Sequence, residues 1–98
     1  MLFEWGEGKN KVHKCKHGLS FEEAVRVFND EDAIEVYDRN YSSLEDRYVV
    51  IGRITEKTVI SVVSTCRDPE AMRIISARTA NPTEKGEYYE SYKKNHIG

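Results

Sequence analysis

Residues 5–24 read WGEGKNKVHKCKHGLSFEEA, in which a basic segment runs directly into the start of a helix. Ser20 and Glu23 have the spacing of a capping box, in which each side chain accepts a hydrogen bond from the other residue's backbone N–H. Four apolar side chains then recur at i, i+3, i+4 and i+7, namely Phe21, Ala24, Val25 and Phe28. This period predicts a helix whose apolar stripe faces the core.

The basic segment is predicted to be a helix of its own, which follows a short strand at Leu2 to Trp5 and ends at Gly18. In a helix, four of its basic side chains fall at i, i+4, i+7 and i+8, and therefore on one face. They are Lys9, His13, Lys16 and His17. Like charges on one face weaken an isolated helix by about 0.2–0.5 kcal/mol per close pair. We therefore expect this stripe to bind an anion, either a phosphate group or an acidic protein partner.

From Ala33 onward the pattern changes to β-branched and aromatic runs broken by polar turns. The runs lie within residues 34–37, 48–51, 59–63 and 72–77. Their short connections predict hairpins, so the sheet from Tyr48 onward is predicted to be an antiparallel meander. Asn81 is the predicted cap of a last helix, with Pro82 at its first position. The order of strand, two helices, strands and helix predicts an α+β fold.

Length and charge limit the possible functions. At 98 residues with a formal net charge of −2, the chain is predicted to form one domain over residues 1–98. Its isoelectric point near 5.9 is well below the value of about 9 expected of a general nucleic-acid-binding domain. The charge is segregated, because lysines crowd residues 9–16 and carboxylates crowd residues 22–38. Any phosphate binding is therefore expected to be local.

The two cysteines, Cys15 and Cys66, have neither a metal-binding nor a redox spacing. The N-terminus does not resemble a signal peptide, and no apolar run approaches the roughly 20 residues that cross a bilayer. We expect a cytoplasmic protein with reduced thiols and no membrane role.

Arginines are the first candidates for chemistry, because an arginine in an apolar sheet must reach solvent, a carboxylate or a ligand. Those in or beside predicted strands are Arg47, Arg53, Arg67, Arg73 and Arg78. A strict two-residue period places Arg73 and Arg78 on opposite faces, so they reach one site only if the strand twists or ends near Ala77. The alternative is that these arginines are surface residues paired with carboxylates.

Candidate proton carriers are fewer. Glu45 lies beside Arg47, where it is either a general base held by the guanidinium or half of a surface ion pair. His17 lies at a helix end, where it is either an acid or base or a capping residue. His13 and His17 have the i, i+4 spacing of metal ligands, but no third ligand is marked and the neighbouring lysines repel a cation, so we expect no metal. Trp5 either packs in the core or stacks on a base.

Several motifs together resemble the BrnT family, the toxins of a bacterial type II toxin–antitoxin system. They are Phe3-Glu4-Trp5, Lys9, Lys16-His17-Gly18, Ser20-Phe21-Glu22-Glu23-Ala24, Glu45-Asp46-Arg47, Gly52, Arg67 and Arg73-Ile74-Ile75-Ser76-Ala77-Arg78. The resemblance implies a small ribonuclease with a RelE-like fold, neutralised by BrnA, an antitoxin with a ribbon-helix-helix DNA-binding part. It also implies that toxin and antitoxin together bind their own promoter. The chain departs from the family pattern at Gly6, usually Asp, at His13, usually Asn, and at Ser64, often aromatic.

This resemblance suggests a role in RNA cleavage for each candidate residue, and we expect no cofactor. Cleavage of RNA by its own 2′-hydroxyl needs a base, an acid and cations that stabilise the charge developing on the phosphate. The phosphate is expected to contact Arg67, Arg73 and Arg78, while His17 or Glu45 transfers the proton. The residues expected to hold the RNA are Trp5, Lys9, His13, Lys16 and Arg47. The alternative functions are a catalytically weak module that binds the antitoxin and acts as co-repressor, and a metal-dependent hydrolase.

Overall fold

The computed structural model describes residues 2–37, 47–68 and 71–96, with all of their side chains except those of residues 12, 13, 15–17, 37, 67 and 68. The strands are β1 (Leu2–Glu4), β2 (Ile34–Tyr37), β3 (Arg47–Thr55), β4 (Thr58–Asp68) and β5 (Ala71–Thr79). The helices are α1 (Glu7–His17), α2 (Phe21–Ala24), a 3₁₀ helix (Val25–Asn29) and α3 (Pro82–His96). The α+β class predicted from the order of elements is confirmed.

The strands form one sheet in the order β1-β5-β4-β3-β2. The pairs from β2 to β5 are antiparallel, which confirms the meander. The first strand lies beside the last one and runs parallel to it. This pairing joins the first strand to the last, and the local sequence patterns did not predict it.

The capping box at Ser20 is present, with the Glu23 N–H donating to Ser20 Oγ over 3.1 Å. The helix that follows is shorter than predicted, because one α-helical turn gives way to the 3₁₀ helix at Val25. A 3₁₀ helix has three residues per turn instead of 3.6, so a different set of side chains faces the core. Val27, which the 3.6-residue period did not mark, is therefore fully buried, while Val25 and Phe28 are only partly buried.

Each face of the sheet has its own apolar cluster. On one face α2 and the 3₁₀ helix pack against Val50, Ile60, Val62, Ile74 and Ala77. On the other face Tyr88 and Ala80 pack against Ile51 and Val59. We call the first the α2 face and the second the α3 face. None of the helices described is both long and apolar enough to span a membrane.

Gly52 lies where the 3₁₀ helix crosses β3. A Cβ atom at this position would lie 2.8 Å from Val27 Cγ2 and 2.9 Å from Ala33 Cβ, both closer than carbon atoms pack. Any side chain at residue 52 would therefore push the 3₁₀ helix off the sheet. This contact is the physical reason for the glycine in the motif pattern.

A second capping box begins α3 at the predicted residue, Asn81. The Glu84 N–H donates to Asn81 Oδ1 over 2.8 Å, and the Asn81 N–H donates to Glu84 Oε1 over 2.9 Å. Further along the helix, the Tyr88 hydroxyl donates to Asp30 Oδ2 over 2.6 Å and accepts from Arg53 Nε over 3.1 Å. Burial and the Asp30 carboxylate raise the pKa of Tyr88 to about 12. The tyrosine thus ties α3 to the sheet and to the 3₁₀ helix.

Candidate active site

A β-bulge in β5 decides where its two arginines point. Ser76 pairs with Val63 and Ile74 pairs with Ser64, so Ile75 is an extra residue without a counterpart on β4. Because a bulge reverses the alternation of faces beyond it, Arg73 and Arg78 lie on the same face. The strict two-residue period, which would place them on opposite faces, is therefore broken at Ile75.

The shared face does not bring the two arginines together. Five residues of strand separate them by about 13–16 Å along β5. Arg78 is held by Glu84, to which Nη1 and Nη2 donate over 2.7 and 2.9 Å. Burial raises the pKa of the Glu84 carboxyl, but hydrogen bonds from Arg78 and from the Asn81 N–H outweigh it and hold that pKa below its ordinary value. Arg78 therefore anchors the start of α3 to β5.

Arg73 belongs to a different set of neighbours. Thr65 pairs with Arg73 on one side and with Arg47 on the other, while Glu4 of β1 pairs with Arg73 from the sheet edge. Paired residues on adjacent strands present their side chains to the same face. Four strands thus align Glu4, Arg73, Thr65 and Arg47 on the α3 face, and we call these four residues the cross-strand row.

Among the described residues, the end of the cross-strand row formed by Glu4 and Arg73 is exposed to solvent. Arg73 Nη1 lies 3.7 Å from Glu4 Oε1, beyond the length of a good hydrogen bond. The two side chains are 37% and 46% exposed. Thr65 is buried and Arg47 is partly buried. With adjacent strands about 4.8 Å apart, the row spans about 15 Å from Glu4 to Arg47 and carries two guanidinium groups and one carboxylate.

Arg67 lies close to this row in the chain. Cys66 pairs with Met72 and Asp68 pairs with Ala71, so Arg67 is itself the extra residue of a second irregularity. Its backbone follows Thr65 by two residues at the end of β4, and its side chain lies outside the described ones. Glu45 lies outside the described residues altogether.

Helix α1 is attached to α2 through polar contacts. The Phe21 N–H donates to Asn10 Oδ1 over 2.8 Å, and Asn10 Nδ2 donates to Glu22 Oε1. Lys14 Nζ lies 2.8 Å from Glu23 Oε1. Hydrogen bonds from Lys14 and Ser20 lower the pKa of Glu23 to about 2. One lysine of the basic segment is therefore paired within the chain.

The predicted basic stripe is described only at Lys9, which is exposed on α1. The side chains of His13, Lys16 and His17 lie outside the described ones. Trp5 is partly buried against the α2-face cluster, where its ring meets Phe21 edge-on at 6.2 Å between centroids. Its indole N–H donates to Glu7 over 3.0 Å. Core packing, one of the two roles considered for Trp5, is thus what its contacts show.

An open cleft of about 680 Å³ lies at the far end of the sheet from the cross-strand row. Its lining residues are Arg26, Asn29, Asp30, Arg53, Ile54, Thr55, Glu56 and Tyr92. Six residues of β3 place Arg53 about 20 Å from Arg47. Arg53 is already engaged, since its Nε donates to Tyr88 and its guanidinium lies 4.8 Å from the Tyr92 ring centre. The row is the better candidate for chemistry, because Arg73 and Glu4 are both exposed there and lie too far apart for a good hydrogen bond.

Within the described residues, no three His, Cys, Asp or Glu side chains are grouped so that they could hold a metal ion. The candidate site therefore consists of the cross-strand row, with Arg67 beside it in the chain. Local patterns missed Glu4 and Thr65 as members. The alternation of Phe3, Glu4 and Trp5 marks Glu4 as facing away from the core, but nothing local marks its neighbour in the sheet.

The family described as "Ribonuclease toxin, BrnT, of type II toxin-antitoxin system" matches residues 5–84, most of the chain. The chain belongs to the BrnT family. Among solved structures it is similar to the ribonuclease toxin BrnT of Brucella abortus, with a TM-score of 0.63 and 24% identity over 83% of this chain and 99% of that one. At this identity the match shows a shared BrnT fold. No curated protein matches the chain significantly.

Proposed function

We propose that this BrnT-family chain cleaves RNA at the cross-strand row without a metal ion, and that it thereby inhibits translation in the cytoplasm. Membership in a ribonuclease toxin family supports the reaction class. The observation that carries the proposal is the alignment of Arg73 and Arg47 on one face, on either side of Thr65. Planar guanidinium groups suit the oxygens of a phosphate.

In this mechanism the 2′-hydroxyl of the RNA attacks the adjacent phosphorus. Arg73 and Arg47 stabilise the charge that develops on the phosphate oxygens, and Arg67 assists them. Lys9, with Lys16 and His13, adds positive charge on α1, which is attached to the α2 face, so these residues draw RNA towards the chain without contacting the row, and binding should weaken as salt rises. His17 and Glu45 remain candidate proton carriers. A phosphate contact by Arg78 requires that Glu84 release it.

The partner proposed here is a BrnA-like ribbon-helix-helix antitoxin that covers the site. A type II toxin family implies a protein antitoxin. In this proposal the whole chain is one toxin domain, and it reaches promoter DNA only as part of the complex with the antitoxin. A gene for a short ribbon-helix-helix protein beside the toxin gene would support the pairing.

The direct test is an RNA-cleavage assay with the purified protein, run with and without EDTA. The wild type should cleave equally well in both. Arg73→Ala should reduce the rate by about 100-fold or more, the size seen when one charge-stabilising donor is removed. Arg26→Ala, which removes an exposed arginine on the 3₁₀ helix, is the matched control and should remain within about threefold of the wild type. Loss of cleavage in EDTA would contradict the metal-free mechanism.

A second candidate function is a module that binds the antitoxin and represses its own operon with little catalysis. The departures at Gly6 and His13, both next to or within the basic stripe, favour it. Expression in bacteria separates the two functions. Growth arrest that Arg73→Ala removes indicates the enzyme, whereas no arrest together with tight antitoxin binding indicates the module.

A further inference from the structure

We infer that Glu4 is the general base that takes the proton from the attacking 2′-hydroxyl. The inference rests on the proposed ribonuclease function and adds a catalytic residue to it. Glu4 belongs to the shortest strand of the sheet and lies just before the residues that match the family. Its place beside Arg73 comes from the pairing of β1 with β5.

Glu4 is held less tightly than the carboxylates that attach the helices. Glu23, Asp30 and Glu84 each accept short hydrogen bonds, with donors that include Lys14, Arg53 and Arg78. Glu4 instead faces Arg73 at 3.7 Å and is 46% exposed. A carboxylate has about four lone-pair sites, so an oxygen of Glu4 is available to a substrate hydroxyl.

The position of Glu4 also fits the direction of attack. Arg73 separates it from Thr65 and Arg47, so the carboxylate lies at one end of the row and the two guanidinium groups lie to one side of it. A phosphate held by Arg73 would have its neighbouring ribose within reach of Glu4. Arg73 thus contacts both the base and the charge that forms on the phosphate.

The reaction balances with water as the second proton source. A Glu4 oxygen takes the proton as the O2′–H bond breaks, and O2′ forms a bond to phosphorus. The P–O5′ bond then breaks, and O5′ takes a proton from water. The products are a 2′,3′-cyclic phosphate and a 5′-hydroxyl, and Glu4 returns its proton to solvent. No atom is oxidised or reduced.

Glu4→Gln tests this role because it keeps the shape of the side chain and removes its basic oxygen. Single-turnover cleavage should slow by about 100-fold or more, within the range for a lost general base. The fall in rate at acid pH should also disappear from the pH profile. Affinity for an uncleavable 2′-O-methyl RNA should stay within about threefold. Glu56→Gln, in the exposed turn between β3 and β4, is the matched control. It should leave the cleavage rate, the pH profile and the RNA affinity unchanged.

Several results would overturn the inference. If Glu4→Gln cleaves like the wild type, or if only RNA affinity falls, Glu4 is not the base, and the pair with Arg73 is a surface ion pair. If the fall in cleavage rate at acid pH disappears in His17→Gln but not in Glu4→Gln, the base is His17. If the wild type cleaves RNA that is 2′-O-methylated at the scission site, no 2′-hydroxyl proton is transferred, although the chain is still a nuclease. A wild type that cleaves no RNA contradicts the proposed function itself.

Discussion

Two arginine–carboxylate pairs lie on the same face of β5 and are built differently. Arg78 and Glu84 form a closed pair, with two hydrogen bonds of 2.7 and 2.9 Å and a carboxylate only 14% exposed. Arg73 and Glu4 form an open pair, 3.7 Å apart and exposed on both sides. The closed pair joins a helix to the sheet. The open pair leaves a cation and a carboxylate accessible to a substrate, so one short motif supplies both a structural arginine and a candidate catalytic one.

The largest expected effect separates the two arginines by activity. Arg73→Ala should reduce RNA cleavage by about 100- to 1,000-fold, because one donor to the developing charge is lost. Its free energy of unfolding should change by less than about 1 kcal/mol, as for an exposed ion pair. Cleavage rates and urea unfolding of the same preparation measure both. Equal losses of activity in Arg73→Ala and Arg78→Ala would remove the distinction between the pairs.

The second prediction concerns the closed pair, where loss of the arginine should reduce stability and leave activity almost unchanged. Arg78→Ala should lower the free energy of unfolding by about 1–2 kcal/mol, because it leaves the mostly buried Glu84 carboxylate without its two strongest donors. Cleavage at a temperature where the variant is folded should stay within about threefold of the wild type. Urea unfolding followed by circular dichroism checks the first value. A variant as stable as the wild type would show that the closed pair contributes nothing to the attachment of α3.

A third prediction concerns Ser64, which pairs with Ile74 beside the open pair. Its hydroxyl is fully buried and makes no hydrogen bond to any described residue. A buried polar group without a partner costs about 1–3 kcal/mol, so Ser64→Ala should raise the free energy of unfolding by about 1 kcal/mol. Thermal unfolding measures the gain. Cleavage should not change, since the side chain faces away from the cross-strand row; a fall in activity would place Ser64 in the site.

The smallest expected effect is on how the free energy of unfolding depends on pH. The pKa of Glu84 is lower in the folded chain than its ordinary value, because Arg78 and the Asn81 N–H outweigh burial. The unfolded chain therefore binds more protons at acid pH, and the contribution of Glu84 is fully present above about pH 4.3 and lost as pH falls through the folded pKa. Unfolding measured from pH 6 to pH 3 should show a shallower loss of stability in Glu84→Gln than in the wild type. If the free energy of unfolding falls equally with pH in both proteins, the Arg78–Glu84 pair does not stabilise the folded chain.

Much of the fold was predictable because its signals are local. Ser20 with Glu23, and Asn81 with Pro82, begin helices at the expected residues. Each cap depends only on residues within one turn of it. The change from α-helix to 3₁₀ helix at Val25 was not predicted, and it places Val27 close against Gly52 of β3.

The candidate site was predictable only in part. Arg73 and Arg47 were marked as arginines within predicted strands, but the face each one uses depends on the bulge at Ile75. A strict period therefore gave the wrong relation between Arg73 and Arg78. The functions of His17, Glu45 and Arg67 remain predictions, since their side chains lie outside the described ones.

By itself, the sequence determined the kinds of element, their order and the membership in the BrnT family, because capping, periodicity and motifs are properties of neighbouring residues. Only the tertiary structure decided which carboxylate meets which arginine. Glu4 reaches Arg73 because the first strand pairs with the last, whereas Glu84 lies only six residues from Arg78 and reaches it across the turn from β5 into α3, on the face that the bulge at Ile75 gives Arg78. The open pair therefore depends on the packing of elements that are far apart in the chain, while the closed pair depends on strand register and one short turn.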